Sequence, residues 1–404
     1  MERFISFFGL FAMIFLAWLM SSHKRRFPWK LVILGMLLQF ALGVLVLLTP
    51  PGQWLFVVIG DFFTAMLGFA DAGSAFVFGP KFTDFFFAFK VLPTIIFFSA
   101  LMTMLYYVGV MQWVVKGMAR LMQWTLGTSG AETLSASANI FMGQTEAPLV
   151  IKPFIPGMTL SELNAVMVGG FANISGGVLA AYAGMGIDAG HLVTASVISA
   201  PASLVIAKIM LPETEQPATL GKVDITIEQP AANLLEAAAI GASEGLKLAL
   251  NVAAMLIAFL ALIAMLDAGI GLIGSWFGQQ WSLALGLGYL FAPLAWLLGI
   301  PWNDCLKAGE LLGLKMVANE FIAYERLSTW IKPGSGVELS ARSEMLLTYA
   351  LCGFSNFGSI GIQIGGLGAM APQRQGDLAR LGLRAMLGGT LASFMTACIA
   401  GVLV

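Results

Sequence analysis

Residues 127–156 read GTSGAETLSASANIFMGQTEAPLVIKPFIP, and this stretch decides the fold. It has the length of a membrane span. Its polar and helix-breaking residues are Glu132, Asn139, Gly143, Gln144, Thr145, Glu146 and Pro148. Irregular backbone at membrane depth is tolerated only where it is buried in protein or lines a polar cavity. The stretch therefore predicts a re-entrant helical hairpin that enters and leaves the membrane from the cytoplasmic side.

The composition is that of a membrane protein. Hydrophobic residues make up 58% of the 404 residues and charged residues 11%, whereas soluble domains carry about 25% charged residues. The formal net charge of −1 gives no indication of a nucleic-acid partner. Nine apolar stretches approach or exceed the ~20 residues that cross a bilayer. They lie at 4–20, 31–48, 91–115, 163–183, 191–211, 248–273, 281–299, 345–370 and 383–404.

The segments between these stretches predict further elements. Residues 53–90 mix aromatic with charged side chains and fit helices that lie along the outer membrane interface. Residues 212–247 are polar, and their later half predicts an amphipathic helix on the cytoplasmic side. Basic residues follow the first apolar stretch instead of preceding it, so we predict a retained first span rather than a cleaved signal.

Residues 302–327, WNDCLKAGELLGLKMVANEFIAYERL, repeat the unusual pattern of the first hairpin. The polar residues inside this span-length segment are Glu310, Lys315, Asn319 and Glu320. It predicts a second hairpin for the same reason. The apolar stretches that follow the two hairpins share a pattern, GFANISG at 170–176 and GFSNFGS at 353–359. Hairpin and glycine-interrupted span thus recur in the same order.

This repeat indicates a secondary transporter. If three spans separate the two copies, the second copy is inverted, and inverted repeats whose broken helices meet near the midplane are characteristic of such proteins. If residues 281–299 also cross the membrane, the repeat is parallel instead. We expect the inverted form, with hairpin plus two spans in each copy. The predicted fold is an all-α integral membrane protein with about eight transmembrane helices, two re-entrant hairpins and interfacial helices.

The repeat divides the chain into four parts. We expect residues 1–126 to form N-terminal scaffold spans and interfacial helices, and residues 127–211 to form the first repeat of a transport domain. Residues 212–300 are expected to contain an amphipathic linker, a long scaffold span and an interfacial helix. Residues 301–404 then form the second repeat.

Glu146 and Glu320 are the candidates for function. An ionisable group inside a membrane costs ~2.5–3.5 kcal/mol or more and by default marks a functional site. With the amides of Gln144, Asn319, Asn173 and Asn356 they would offer donors and acceptors that suit a neutral solute with many hydroxyl groups. The alternative is that the two carboxylates cap the hairpin tips or pair with Lys152 or Lys315.

Asn139 and the backbone from Val168 to Ile174 are candidates for a monovalent-cation site. Freed carbonyls and half-helix ends coordinate such ions in transporters. Asn139 and Asn173 could equally satisfy backbone groups where the helices break.

The sequence gives no indication of catalysis. It contains no HExxH or Walker pattern, so we do not expect an enzyme. Its three cysteines lie far apart and have no metal-ligand spacing. A passive channel or facilitator for small polar solutes is the alternative to a coupled transporter.

Five stretches carry a resemblance to a known family. They are VLPTIIFFSALMTMLYYVGVMQWVV at 91–115, AETLSASANIFMGQTEAPLVIKPF at 131–154, MTLSELNAVMVGGFANISGGVLAAY at 158–182, NEFIAY at 319–324 and CGFSNFGSIGI at 352–362. Together they resemble the bacterial branch of the concentrative nucleoside transporters, and the resemblance runs from about residue 90 to residue 404.

The resemblance implies a cation-coupled symporter that imports nucleosides such as uridine, cytidine or adenosine by elevator-like alternating access. It implies sodium as the coupling ion, no other cofactor, and a homotrimer surrounded by lipid in the bacterial inner membrane. It places base recognition at Gln144, Thr145 and Glu146, ribose recognition at Glu320, Asn356 and Ser359, and packing against the nucleoside at Val178 and Phe354. The sodium site maps to side-chain and carbonyl oxygens of Asn139, Val168, Asn173 and Ile174.

Overall fold

The computed structural model describes residues 1–221, 231–332 and 334–404. The N-terminal part consists of helices α1 to α5, and a 3₁₀ turn and a π-helical turn precede α4. Their bounds are α1 Glu2–Leu19, α2 Trp29–Leu48, α3 Pro50–Phe78, 3₁₀ Phe82–Phe85, π Phe87–Val91, α4 Leu92–Val108 and α5 Val110–Leu126. The first two helices coincide with the first two expected spans.

Two expectations for this part need correction. Residues 53–90 were expected to be too polar for a span, yet α3 is one continuous helix that is long and apolar enough to cross a membrane. Only two charged residues, Asp61 and Asp71, lie within α3. Lys90 neutralises Asp71 through a 2.9 Å ion pair. The span expected at 91–115 ends early, because Gly109 has a positive φ of 92° that separates α4 from α5.

The first repeat comprises the first hairpin and three further helices. Its elements are α6 Gly130–Ala138, 3₁₀ Ala147–Gly157, α7 Leu160–Ala172, α8 Gly176–Gly184 and α9 Ala189–Met210. Capping boxes at Ser129 and Thr159 start α6 and α7. The returning arm of the hairpin is a 3₁₀ helix that contains Pro153 and Pro156, whose missing N–H groups do not support an α-helix. The expected interruption of the span at 163–183 lies between α7 and α8.

Helix α10, Leu234–Trp276, runs for 43 residues without a break. The amphipathic helix expected before residue 248 is therefore the first part of a single long helix and not a separate cytoplasmic element. Gly241 and Gly245 let this part approach α4 closely, since a Cβ at Gly241 would lie 2.6 Å from the carbonyl oxygen of Ser99. Residues 222–230, in the linker expected over 212–247, lie outside the described residues.

The last part of the chain begins with α11, and the elements from α12 onwards lie in the residues expected for the second repeat. The bounds are α11 Leu283–Leu297, α12 Trp302–Val317, α13 Glu320–Trp330, α14 Ala341–Leu351, α15 Phe357–Met370, 3₁₀ Pro372–Arg374 and α16 Gln375–Leu403. Helices α12 and α13 meet at the break expected for the second hairpin. Helix α11, which was expected to be an interfacial helix, packs against α12, and the two helices form a pair bent by 118°. Helices α14 and α15 are the two halves of the glycine-rich span.

Among the described residues, eight helical segments are long and apolar enough to span a membrane, or up to nine if the bent pair counts as one span. The expected number was about eight, but the members differ. Helix α3 is included, whereas the stretch at 345–370 is split into two short helices.

Buried residues are concentrated in the stretches that were expected to form the two repeats. All nine residues of α6 are buried, and α7, α9 and α16 are buried over most of their length. Helices α1, α3 and α10 instead expose large apolar side chains over much of their surface. This all-α arrangement places the polar hairpins inside protein, as the requirement for satisfied backbone groups in a membrane demands.

Candidate functional site

Glu320 lies at the break in the second hairpin and is the first residue of α13. Asn319 caps this helix by accepting a 2.9 Å hydrogen bond from the N–H of Ile322. The carboxylate of Glu320 accepts a hydrogen bond from Asn356 Nδ2 at 2.9 Å and one from the hydroxyl of Tyr182 at 3.4 Å. Only 5% of the residue is exposed. Three elements, α13, α8 and the start of α15, therefore converge on one buried carboxylate.

Asn356 connects this carboxylate to the first hairpin. Its Oδ1 accepts the N–H of Ser359 at 2.9 Å and so caps α15. Ser359 Oγ in turn accepts a 3.2 Å hydrogen bond from Gln144 Nε2 at the tip of hairpin 1. Gln363 Nε2 donates to Gln144 Oε1 at 3.2 Å. Side chains that are more than 200 residues apart in sequence thus form one buried polar row, which we call the hairpin bridge: Glu320, Asn356, Ser359 and Gln144.

Glu146 has a different environment. Its Oε2 accepts a 2.7 Å hydrogen bond from the N–H of Gly143, so one oxygen caps the hairpin tip, as the alternative interpretation suggested. Its side chain is half-buried at the hairpin tip.

The other expected solute contacts are Thr145, Val178 and Phe354. Thr145 packs on α15, since a Cβ added at Gly366 would lie 2.7 Å from Thr145 Cγ2. Val178 is buried in the first turn of α8. Phe354 is half-buried in the break before α15, and its N–H donates to the carbonyl oxygen of Asn173 at 3.3 Å.

The proposed ion ligands meet at the break between α7 and α8. Asn139 and Asn173 are buried, and the Oδ1 atom of each lacks a hydrogen-bond partner among the described residues. Ile174 is buried at this break, and Val168 is buried within α7, four residues before that helix ends. A Cβ added at Gly169 would lie 3.3 Å from Asn139 Nδ2, so the end of α6 lies against α7.

Two unpartnered buried oxygens need a ligand. A buried acceptor without a partner costs about 1–3 kcal/mol, and native proteins satisfy nearly all such groups. Amide oxygens beside the freed backbone of a broken helix are suitable ligands for a monovalent cation. The donor set at Asn139 and Asn173 therefore fits sodium.

Three residues near the site were missed as solute or ion contacts. Tyr182 donates to Glu320, but an aromatic residue in an apolar span gives no sequence signal. Gln363 donates to Gln144, and its amide inside a glycine-rich span was a usable signal. Lys315 was considered only as a pairing partner of the two carboxylates, and its hydrogen bond to the carbonyl oxygen of Ala350 was not expected.

Comparison with known proteins decides the family. Residues 191–401 match the family described as Na+ dependent nucleoside transporter C-terminus, residues 8–81 match the corresponding N-terminus, and residues 88–189 match the Gate family, described as nucleoside recognition. The chain belongs to the sodium-dependent nucleoside transporter family. This confirms the resemblance to concentrative nucleoside transporters and the expectation of a multi-pass membrane transporter rather than an enzyme.

Relatives of this family come from bacteria and animals. An uncharacterized transporter of Haemophilus influenzae is 44% identical over 406 residues, which cover 99% of this chain and 97% of the relative. Solute carrier family 28 member 3 of Rattus norvegicus is 48% identical over 414 residues, which cover 100% of this chain but 59% of the relative. The chain spans about 60% of the length of the first curated relatives that it matches.

Solved structures of CNTnw share the fold. The inward-facing, substrate-bound state of CNTnw has a TM-score of 0.93 and 43% identity, with 100% of this chain and 98% of that chain covered. A variant of CNTnw in an outward-facing state has a TM-score of 0.94 and 42% identity, with 100% and 99% covered. CNTnw therefore adopts both of the states that alternating access requires.

Proposed function

We propose that this chain is a sodium-coupled symporter that imports nucleosides. The observation that carries the proposal is the hairpin bridge, in which one carboxylate, two amides and one hydroxyl line up inside the core. Such groups suit a neutral solute that has both hydroxyl groups and ring heteroatoms. The name of a relative from Sus scrofa, sodium/nucleoside cotransporter 1, supports the same substrate and ion.

The first hairpin reads the base in this proposal. Gln144 carries both a donor and two acceptor lone pairs, which match the mixed edge of a nucleobase. Thr145 and Glu146 lie beside it at the hairpin tip. Val178 and Phe354 provide apolar surface at the helix breaks for packing against the nucleoside.

The second hairpin holds the ribose. The Glu320 carboxylate is the strongest acceptor in the hairpin bridge, because hydrogen bonds to ionised groups are about twice as strong as neutral ones. Asn356 and Ser359 complete the set on α15. In the structure these groups bond to one another, so a bound nucleoside replaces hydrogen bonds that already exist. This keeps the desolvation cost of the empty site low.

In this proposal sodium binds at the break between α7 and α8 and is transported together with the nucleoside. Asn139 and Asn173 supply side-chain oxygens, and Val168 and Ile174 supply backbone oxygens. The unpartnered Oδ1 atoms support this assignment. Because the same break continues into α8, which carries Val178, the ion orders backbone that also contacts the nucleoside.

The two repeats, 127–211 and 301–404, form a transport domain that moves past a scaffold by an elevator-like displacement. The burial of the polar hairpins within the repeats supports their movement as a unit. The wide apolar faces of α3 and α10 support lipid contact and assembly into a homotrimer in the bacterial inner membrane. Light scattering of the purified protein tests this assembly, since the trimer has three times the chain mass of 43.0 kDa.

Uptake into proteoliposomes tests the function. Uridine uptake is measured under an inward sodium gradient, under equal sodium on both sides, and under an inward potassium gradient. We expect accumulation above the external concentration only in the first case. A passive channel or facilitator would equilibrate uridine in all three cases and exceed the external concentration in none. Competition by cytidine and adenosine then ranks the substrates.

A further inference from the structure

Lys315 is a lysine that is fully enclosed by protein. It lies in the last turn of α12, and its exposed fraction is 0%. Within the described ranges, no carboxylate oxygen lies within 4.0 Å of its ammonium nitrogen. Taking an isolated ammonium out of water costs several kcal/mol. A charged ammonium group is therefore stable at this position only if other groups compensate the cost of removing it from water.

The compensation comes from the end of α14. Lys315 Nζ donates a 2.9 Å hydrogen bond to the carbonyl oxygen of Ala350, one residue before the helix ends. The last carbonyls of a helix have no partner within it and carry partial negative charge. The neighbouring carbonyl of Thr348 accepts a 2.6 Å hydrogen bond from the hydroxyl of Tyr324. Side chains of the second hairpin thus satisfy the broken end of α14.

The break between α7 and α8, which is the first break, differs from the break between α14 and α15, which is the second, in how its polar atoms are compensated. At the first break, Oδ1 of Asn139 and Oδ1 of Asn173 are left without partners by the residues that the structure describes. At the second break, an ammonium group of the chain itself occupies the helix end. One break is built for an exchangeable cation, and the other contains a tethered one.

Lys315 also lies close in the chain to the hairpin bridge. Glu320 follows it by five positions across the break between α12 and α13, and Asn356 and Tyr182 hold the Glu320 carboxylate in place. We infer that Lys315 is a positioning residue, a tethered cation that fixes the end of α14 and stabilises the negative charge with which Glu320 accepts solute hydroxyls. This inference rests on the proposed nucleoside site.

Lys315→Met tests this role, because methionine is similar in length but carries no charge. Lys307→Met is the matched control, since Lys307 lies on the same helix with 43% of its side chain exposed and pairs with Glu310 at 2.8 Å. Binding of uridine and of 2′,3′-dideoxyuridine to the purified protein is measured at saturating sodium. The sodium concentration that gives half-maximal uridine binding is measured in parallel.

We expect Lys315→Met to weaken uridine binding about 10- to 100-fold, the loss associated with a weakened charged hydrogen bond. Binding of the dideoxy analogue should change much less, because it lacks the hydroxyls that Glu320 accepts. The half-maximal sodium concentration should stay the same within about twofold, since the first break is intact. A purely structural role would lower the melting temperature and weaken both ligands equally, and that result would overturn the inference. Lys307→Met should leave uridine binding, binding of the dideoxy analogue and the half-maximal sodium concentration unchanged.

A double-mutant cycle with Glu320→Gln covers the case in which Lys315→Met folds poorly. If the two charges compensate each other, the double variant melts at a higher temperature than Lys315→Met alone. If the decreases in melting temperature caused by Lys315→Met and by Glu320→Gln simply add in the double variant, a charge-based role is contradicted. Failure of both Lys315→Met and the double variant to fold would contradict it as well. If instead the unmodified protein binds no uridine at all, the proposed function is wrong, and this outcome is distinct from either result for the variants.

Discussion

The backbone N–H of Phe354 donates a 3.3 Å hydrogen bond to the carbonyl oxygen of Asn173, so the two interrupted helices touch at their breaks. Ser355 Oγ adds a 2.7 Å hydrogen bond to the carbonyl oxygen of Phe171. Asn173 is a proposed ion ligand, and Phe354 is a proposed nucleoside contact. If the proposed sodium ion orders the first break, these hydrogen bonds would also position the second, which would be a physical route for coupling.

Gly353→Ala should disrupt this contact. Gly353 has a φ of 133°, and a Cβ there would lie 2.6 Å from the carbonyl oxygen of Phe171. We expect a loss of roughly 2 kcal/mol or more in stability, seen as a lower melting temperature, together with strongly reduced sodium-driven uptake. Gly361→Ala is the control, because nothing lies within 4 Å of that position on α15 and alanine is the better helix former. Equal effects of the two substitutions would contradict the importance of the junction.

Glu320→Gln should abolish uridine uptake while leaving the protein folded. The amide keeps the shape of the side chain but loses the charge that strengthens its bonds to solute hydroxyls, so we expect at least about a 100-fold reduction in uptake. Glu325→Gln serves as the control, since Glu325 lies on the same helix with an exposed side chain. Normal transport by Glu320→Gln would refute the assigned ribose role.

Asn139→Ala should raise the sodium concentration needed for half-maximal uridine binding by about tenfold or more, because one ligand oxygen is lost. Binding should recover at high sodium, since the nucleoside contacts are intact. Asn164→Ala removes another buried amide, which donates to the carbonyl oxygen of Ala207 at 3.2 Å and lies outside the site. That control should lower the melting temperature without changing the sodium dependence. An unchanged sodium dependence in Asn139→Ala would remove Asn139 from the ion site.

Acidification should weaken an ion pair at the end of α9. Glu213 Oε2 lies 3.3 Å from Lys208 Nζ and accepts a 2.8 Å hydrogen bond from Thr159 Oγ1. Partial burial alone would raise the pKa of Glu213, but the Lys208 charge and these hydrogen bonds outweigh it and lower the pKa below 4.5. Because the folded-state pKa is depressed, the stabilisation is present above pH 4.5 and is lost as the pH falls through the folded-state value.

Melting temperatures check this pH dependence. At neutral pH, Glu213→Gln should be less stable than the unmodified protein by about 1 kcal/mol or less, as is usual for partly exposed pairs. The difference should shrink as the pH falls below 4.5. Glu215→Gln changes an exposed neighbouring carboxylate and should have little effect at any pH. A difference for Glu213→Gln that is independent of pH would show that the charge of Glu213 is not responsible.

The sequence was most informative where residues conflict with their surroundings. Polar residues in the span-length stretches 127–156 and 302–327 indicated where the helices of these two stretches are interrupted. The family resemblance named residues that the structure joins in the hairpin bridge. The charge count over residues 53–90 was misleading because Lys81, Asp84 and Lys90 follow α3 instead of lying within it. The contacts of Tyr182 and Lys315 could not be predicted, since they depend on how helices that are distant in the chain pack together.

The difference in burial between the repeats and the outer helices has a consequence for mutational tolerance. Every face of α6 meets other protein groups, so nearly any substitution there changes a packed contact. Only three of the 29 residues of α3 are buried. Where α3 faces lipid rather than another subunit, one apolar residue can replace another at little cost. A saturation mutagenesis scan should therefore find a wide choice of residues along α3 and almost none along α6.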